Sequence, residues 1–359
     1  MDSTLYKKIE NYIMDIIVQN ATIPYFKLPS ERALSIKFDA SRKPVRRAYD
    51  DLIQKGYVVN IHGKGYFIGN QVNMDELVAT SYNNPKISLI IPSITSQYSH
   101  DILAGASDYC SNHHMELTIL VSDNDPVKED RLLSSAPLSG AKGIVLFPVD
   151  QDTTYDNELL KLCIRKYPLV LVDRMLPNIH ASFVSSENHQ AMVNAVEFLR
   201  KKNFQRIVYV SAPSTIASTT ETRINGFTHG LLRHYKMATP QNLLVLEGSP
   251  LQMKNMVVAY LQKHPDTEIL IVPGSMRLTV LMATQELDIQ SPRDMKLMIF
   301  DDELSPMERS TLKPYILKQD GYRIGYYAVE SLYNQLFGDL RPVTKMLPVT
   351  IIDTSDDET

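Results

Sequence analysis

Arg42, Lys43 and Arg46 fall within a single run, Ser41-Arg42-Lys43-Pro44-Val45-Arg46. A guanidinium can meet guanine O6 and N7 with two hydrogen bonds or clamp a phosphate, so the run suits a nucleic-acid duplex. A solvated basic helix end is the alternative. A second set could hold a small polar molecule: Ser93 to Tyr98, Asp123-Asn124, Asp173-Arg174 and Asp301-Asp302 each follow an apolar run. Carboxylates and guanidiniums accept from and donate to hydroxyls, and Tyr98 can lie against the apolar face of a ring. For each carboxylate singly, a turn or helix cap competes with that role. An internal ion pair is the alternative for Asp173-Arg174.

The first set needs a helix to present it. Leu5, Ile9, Tyr12, Ile13, Ile16 and Ile17 recur at helical spacing, which predicts a first helix with one apolar stripe and Pro24 beyond its end. Ser30 can cap a short second helix from Glu31 to about Phe38. Ser41 can cap a third, whose buried stripe is Val45, Ala48, Tyr49, Leu52 and Ile53 and which Gly56 ends. Pro44 is tolerated there because first-turn amides have no acceptor within the helix. Short strands from Tyr57 to Ile61 and from Tyr66 to Ile68 flank a turn at His62-Gly63-Lys64-Gly65. Three helices and a hairpin make a winged helix-turn-helix with Arg42, Lys43 and Arg46 on the outward side of its third helix.

The second set needs strand ends. Apolar runs at 87–91, 117–121, 143–147, 169–172, 207–210, 243–246, 269–272 and 297–300 alternate with segments of helical period. Continuous apolar strands separated by helices predict parallel sheets covered on both faces, here divided into two βα lobes. Ligands of such α/β folds sit beyond the carboxyl ends of the strands. The expected organisation is a winged helix over 1–70, a linker over 71–85, a two-lobed domain over 86–353 and an acidic tail over 354–359.

A chain of 359 residues exceeds what one core usually organises. With 44% hydrophobic and 22% charged residues it reads as an ordinary globular protein. Residues 1–70 carry 11 Lys+Arg against 7 Asp+Glu, leaving 26 against 34 for the remainder, so the basic part is the first. The opening residues lack a signal-peptide apolar core and no run nears the roughly 20 residues that span a bilayer, which predicts a cytoplasmic protein without a membrane partner. Cys110 and Cys163 lack metal-ligand spacing, so neither a metal site nor a disulfide is expected. There is no Walker phosphate loop, no Gly-x-Gly-x-x-Gly after a strand and no Gly-x-Ser-x-Gly elbow, so no cofactor and no enzymatic activity are expected. A sugar-modifying enzyme, or a sugar-binding protein without regulatory DNA binding, is the competing class.

Leu28-Pro29-Ser30-Glu31-Arg32, Ser41 to Arg46, Gly56-Tyr57 and Gly63-Lys64-Gly65, in that order, resemble the GntR family of bacterial regulators over Leu5 to Ile68. That resemblance implies DNA contacts from Arg32, Ser41, Arg42, Lys43 and Arg46, with the wing tip His62, Gly63, Lys64 and Gly65 reaching the minor groove. Lys43-Pro44 stands where Thr-Thr or similar is common, so no operator sequence is inherited. Arg32 has a structural ion pair as its alternative role.

Pro168 to Arg174, Thr222 to Phe227, Met298 to Asp302 and Ile324 to Ala328 resemble the effector domain of the LacI/GalR family and its periplasmic sugar-binding relatives (type I). The resemblance implies sugar hydroxyls held by Asp173, Arg174, Arg223, Asp301 and Gln319, with an aromatic near Tyr98. Gly274-Ser275 replaces an Asn-Asp pair common in that family, so the ligand's identity is not inherited. The fusion is similar to bacterial arabinose repressors. It implies a homodimer on a palindromic double-stranded operator, repressing sugar-utilisation genes and released by a monosaccharide such as arabinose, another pentose or a deoxyhexose.

Overall fold

The computed structural model describes residues 2–20, 26–69, 84–149, 157–215, 217–291, 293–301, 304–337 and 341–356. Pro24, most of the expected linker, Asp302 and the last three tail residues lie outside them. The chain divides into two compact units, the first holding residues 1–86 with short pieces at 114–116 and 333–341, the second the remainder.

In the small unit, α1 (Asp2–Asn20), α2 (Glu31–Lys37) and α3 (Arg42–Gln54) precede a hairpin of β1 (Val58–Ile61) and β2 (Gly65–Ile68). The expected stripes are the ones that close the core: Ile9, Ile13 and Ile17 of α1 and Val45, Ala48, Tyr49 and Leu52 of α3 are fully buried. The wing is tied to this core by Tyr66, whose ring stacks on Tyr49 at 3.7 Å. The segment before α2 also joins the hairpin, Leu28 N–H donating to the Tyr66 carbonyl at 2.9 Å. One expectation fails locally. Ser30 caps α2 by accepting from the Ala33 amide at 3.2 Å, but Ser41 makes no side-chain cap bond. The third helical position after Ser41 is Pro44, which has no N–H to offer.

Glu10 is buried on α1, and its carboxylate accepts from Lys7 at 2.6 Å and from Lys55. Burial pushes its pKa up, but the two ammonium groups outweigh burial and hold it below the ordinary 4.5. A carboxylate lowered in the folded state contributes fully above its unfolded value, and that contribution is lost as pH falls through the folded value. Glu10→Gln is expected to cost about 1 kcal/mol near neutral pH and to flatten the fall in melting temperature below pH 4.5. An unaltered acid limb would assign that titration to other groups.

The large unit holds two six-stranded sheets among the described residues. The first lobe orders β3 (Lys86–Ile91), β4 (Glu116–Val121), β5 (Gly143–Leu146), β6 (Leu169–Val172), β7 (Ser182–Ser186) and β13 (Thr344–Leu347) as β4-β3-β5-β6-β7-β13. The second orders β8 (Ile207–Ser211), β9 (Leu243–Val245), β10 (Ile269–Pro273), β11 (Lys296–Phe300), β12 (Tyr315–Lys318) and β14 (Thr350–Asp353) as β9-β8-β10-β11-β12-β14. Pairing is parallel at β3–β5, β5–β6, β6–β7, β7–β13, β8–β9, β8–β10, β10–β11 and β11–β12, and antiparallel at β12–β14. The eight expected strands are present; β7, β12, β13 and β14 are additional. The chain passes between lobes after β7, after β12 and between β13 and β14.

Helices cover both sheets. In the first lobe α4 (Gln97–Asn112), α5 (Pro126–Leu138) and α6 (Asn157–Ile164) precede β7, and α12 (Gly321–Leu336) returns from the second lobe. The second lobe carries α7 (Asn188–Lys201), α8 (Ser218–Tyr235), α9 (Pro250–Lys263), α10 (Arg277–Glu286) and α11 (Pro306–Leu312). Among the described residues, a helix pair in each lobe comes into backbone contact. A Cβ on Gly325 of α12 would stand 1.9 Å from the Ile102 carbonyl oxygen of α4, and one on Gly226 of α8 would stand 2.3 Å from the His189 carbonyl oxygen of α7.

The chain stays attached past Asp353. Thr354 is buried and its hydroxyl donates to the Pro314 carbonyl at 2.7 Å, and Thr354–Asp356 forms a short 3-10 turn.

Candidate functional site

The small unit presents a cationic face. Arg32, Ser41, Arg42, Lys43 and Arg46 are all exposed. Pro44, Val45, Ala48 and Tyr49 take the opposite side of α3 into the core, which is what turns these side chains outward. Among the described residues neither Arg32, Arg42 nor Lys43 makes an ion pair, so the structural pairing considered for Arg32 is absent. Arg46 approaches Glu31, Nε to Oε1 at 3.5 Å, while its guanidinium stays largely solvent-facing. Glu31 also accepts from the Tyr66 hydroxyl at 2.6 Å, so one carboxylate connects α2, α3 and the wing. Neighbouring Arg47 has a different role, its guanidinium lying 4.1 Å over the Tyr6 ring of α1.

The wing tip projects beyond the hairpin. His62, Gly63 and Lys64 are exposed and Gly65 half-buried. The turn closes with Lys64 N–H on the Ile61 carbonyl at 2.9 Å. Gly63 at φ +76° and Gly65 at φ +105° occupy backbone conformations costly for other residues.

In the large unit the sequence-marked residues gather beyond the carboxyl ends of the strands. Asp173 and Asp301 are each the first residue after a central strand, β6 and β11, and both take left-handed backbone, φ 63° and 73°. Such conformations are tolerated by Asp and concentrate at binding sites. Asp173 is buried; its Oδ1 accepts from the Tyr98 hydroxyl at 2.8 Å and its carbonyl from Ser185 Oγ at 2.9 Å. Arg174 donates from Nη1 to the Pro148 carbonyl and lies 4.9 Å over the Phe147 ring, with Nε 3.8 Å from Asp173 Oδ2. Thus the internal Asp173–Arg174 pairing is present, but loose.

On the second lobe Gln319 Nε2 donates to Asp301 Oδ1 at 2.8 Å. Arg223 of α8 donates Nε to the buried Asn188 Oδ1 at 2.7 Å, and its guanidinium lies 3.5 Å over the Phe300 ring. The two groups meet electrostatically at Tyr98. Burial pushes that hydroxyl well above its ordinary pKa, Asp173 and Asp301 reinforce the rise, and Arg223 opposes it. Tyr98 and Asp173 of one lobe therefore lie within electrostatic reach of Asp301 and Arg223 of the other, with Gln319 bonded to Asp301.

Asp123 does not join them. It pairs with Lys128 in an exposed turn after β4, an edge strand. Edge position carries a strand end away from the centre of a sheet, so its turn role prevails. Sequence reasoning missed Phe147, Phe300 and Asn188; the signal for the two rings was an aromatic closing an apolar run at a strand's carboxyl end. Among the described residues no cluster of three metal-binding side chains forms, and no helix is long and apolar enough to cross a membrane.

Residues 5–68 match the bacterial regulatory proteins of the gntR family, and residues 87–340 match the periplasmic binding protein domain. The chain is a gntR-type regulator carrying a periplasmic binding protein domain. The regulator is 21% identical over 306 residues to the arabinose metabolism transcriptional repressor of Halalkalibacterium halodurans, covering 83% of this chain and 80% of that protein. It is 27% identical over 254 residues to the HTH-type transcriptional regulator PtxS of Pseudomonas putida, covering 70% and 72%. Transcription regulator CcpA of Lactococcus lactis superposes with a TM-score of 0.65 at 20% identity, over 75% of the regulator and 97% of that chain. A carbohydrate transporter solute-binding protein from Agrobacterium radiobacter, in complex with D-arabinose, superposes with a TM-score of 0.65 at 18% identity, over 77% and 96%. These likenesses show the fold of the large unit.

Proposed function

We propose that the regulator represses genes for sugar use, and that a monosaccharide entering the crevice between the lobes releases it from its operator. The observation that carries this is the meeting at Tyr98 of polar groups from both lobes, Asp173 from one and Asp301 and Arg223 from the other. A ligand hydrogen-bonded to both sides favours their closed arrangement, and it shifts DNA affinity by its differential affinity for the two states. The sugar-metabolism role of the Halalkalibacterium relative supports the choice of ligand class.

On the DNA side, Arg32, Ser41, Arg42, Lys43 and Arg46 meet the major groove and its phosphates, and His62 to Gly65 the minor groove. The regulator acts as a homodimer in the cytoplasm, since two recognition helices spaced by one helical turn read a palindrome. Operator affinity measured with and without a panel of monosaccharides tests the whole. One sugar weakening the complex is the expected result; affinity indifferent to every sugar would end the effector assignment.

Arg46→Ala is expected to weaken operator binding by about 1–3 kcal/mol and to relax discrimination at one base pair. A loss uniform across sequences with a shallower salt dependence would make Arg46 a phosphate contact instead. Unaltered binding would remove Arg46 from the interface.

A further inference from the structure

The two lobes also touch directly. Met175 N–H donates to Ser218 Oγ at 2.9 Å. Met175 lies in the first-lobe loop between β6 and β7, shortly after Asp173, and Ser218 opens α8 of the second lobe. Arg174 immediately precedes the donor, and Arg223 follows the acceptor on the same helix. The bond therefore joins the two segments that carry the arginines marked for the site. Both of its ends are fixed to their own lobes. The donor is main chain, and the Ser218 residue is held into α8 by the Thr222 hydroxyl, which donates to its carbonyl at 2.7 Å.

The contact lies off the hinge. The crossovers between lobes follow β7, follow β12 and join β13 to β14, and neither Met175 nor Ser218 belongs to one of them. Rotation about crossovers carries groups that lie away from them apart, and an N–H···O bond is gone beyond about 3.5 Å. The Met175–Ser218 bond thus belongs to the arrangement in which the lobes are together. Its energy does not depend on which sugar is present. A contact made only in the closed state raises the closed population, and every ligand that binds only that state gains by one and the same factor.

Taking the crevice as the sugar site read above, we propose that Ser218 is an interlobe clasp: it sets how readily the lobes close, and through closure how strongly sugar releases the operator, without touching the sugar. Calorimetric titration of the full-length parent, Ser218→Ala and Ser218→Thr with arabinose, xylose, ribose, glucose, galactose and fucose tests this, alongside operator titration without sugar. Ser218→Ala should weaken every sugar that the parent binds by one common factor of about three to ten, the loss that one hydrogen bond allows. Ser218→Thr keeps the hydroxyl and should match the parent. Without sugar, operator affinity of Ser218→Ala should hold or rise, because its lobes favour the open, DNA-competent arrangement. Sugar affinities unchanged in Ser218→Ala overturn the clasp and leave the sugar site standing. Unequal losses among sugars make Ser218 a sugar contact instead, and an equal loss in Ser218→Thr assigns the effect to packing; either overturns the clasp. Weakened operator binding without sugar does so too, by marking damage to the fold. Binding of no sugar by the parent removes the sugar site and the clasp together.

Discussion

Arg223→Ala is expected to abolish the response of operator binding to sugar while operator affinity in the absence of sugar stays within about twofold of the parent. The guanidinium stands 3.5 Å over Phe300 and donates Nε to Asn188, which aims its remaining N–H groups from a fixed platform. A hydrogen bond from a charged donor is worth about 1.5–3 kcal/mol, so its removal should weaken sugar binding on the order of 10- to 100-fold. Arg223→Lys should recover little, because an ammonium has neither the planar fork nor the ring-stacking surface. Direct titration of sugar and a separate operator titration check both halves. Retained sugar release would take Arg223 out of the site. Loss of operator binding together with a lowered melting temperature would assign it a structural role.

Gly325→Ala is expected to destabilise the large unit by about 3 kcal/mol, the upper part of the usual overpacking range. The new Cβ would meet the Ile102 carbonyl oxygen at 1.9 Å, and backbone cannot rotate away as a side chain can. Relief requires α12 to separate from α4, and α4 begins with Gln97 and Tyr98 at the crevice. Sugar affinity should therefore fall along with the melting temperature. Gly230→Ala is the internal comparison: its Cβ would meet Val196 Cβ at 2.9 Å, a milder overlap than the one at Gly325 although that atom is held by its own backbone. A gain of about 1 kcal/mol of helix propensity offsets part of the cost, so it should lose less in thermal melting than Gly325→Ala. Equal losses in the two variants would remove the close helix crossing as the reason for glycine at 325.

The strands legible in the sequence were those that bury continuous apolar runs; β5 and β6, for instance, are buried at every position. The strand Ser182–Ser186 is just as buried but holds three serines in five positions. Two of its hydroxyls find main-chain partners: Ser182 Oγ accepts from the Val343 amide at 3.1 Å and Ser185 Oγ donates to the Asp173 carbonyl, while Ser186 Oγ is buried without a hydrogen-bond partner among the described residues. A strand this polar has no hydrophobic signature, because what compensates most of it lies in other segments. The edge strands Thr344–Leu347 and Thr350–Asp353 were missed for a related reason, being short and only partly buried.

The cationic face of α3 was determined locally. Once Val45, Ala48, Tyr49 and Leu52 are drawn into a core, helical geometry alone sends Arg42, Lys43 and Arg46 outward. Local pattern likewise marked Asp173 and Asp301 as strand-end residues. Only the tertiary structure decided which polar strand ends meet. It put Tyr98 on Asp173 and Gln319 on Asp301, and it left Asp123 to Lys128 on an edge. It also showed that Gly226 and Gly325 serve close helix crossings. The physical reason is that strand order within a sheet, and the approach of one helix to another, are set by packing between segments far apart in the chain. Periodicity and capping report only a residue's near neighbours.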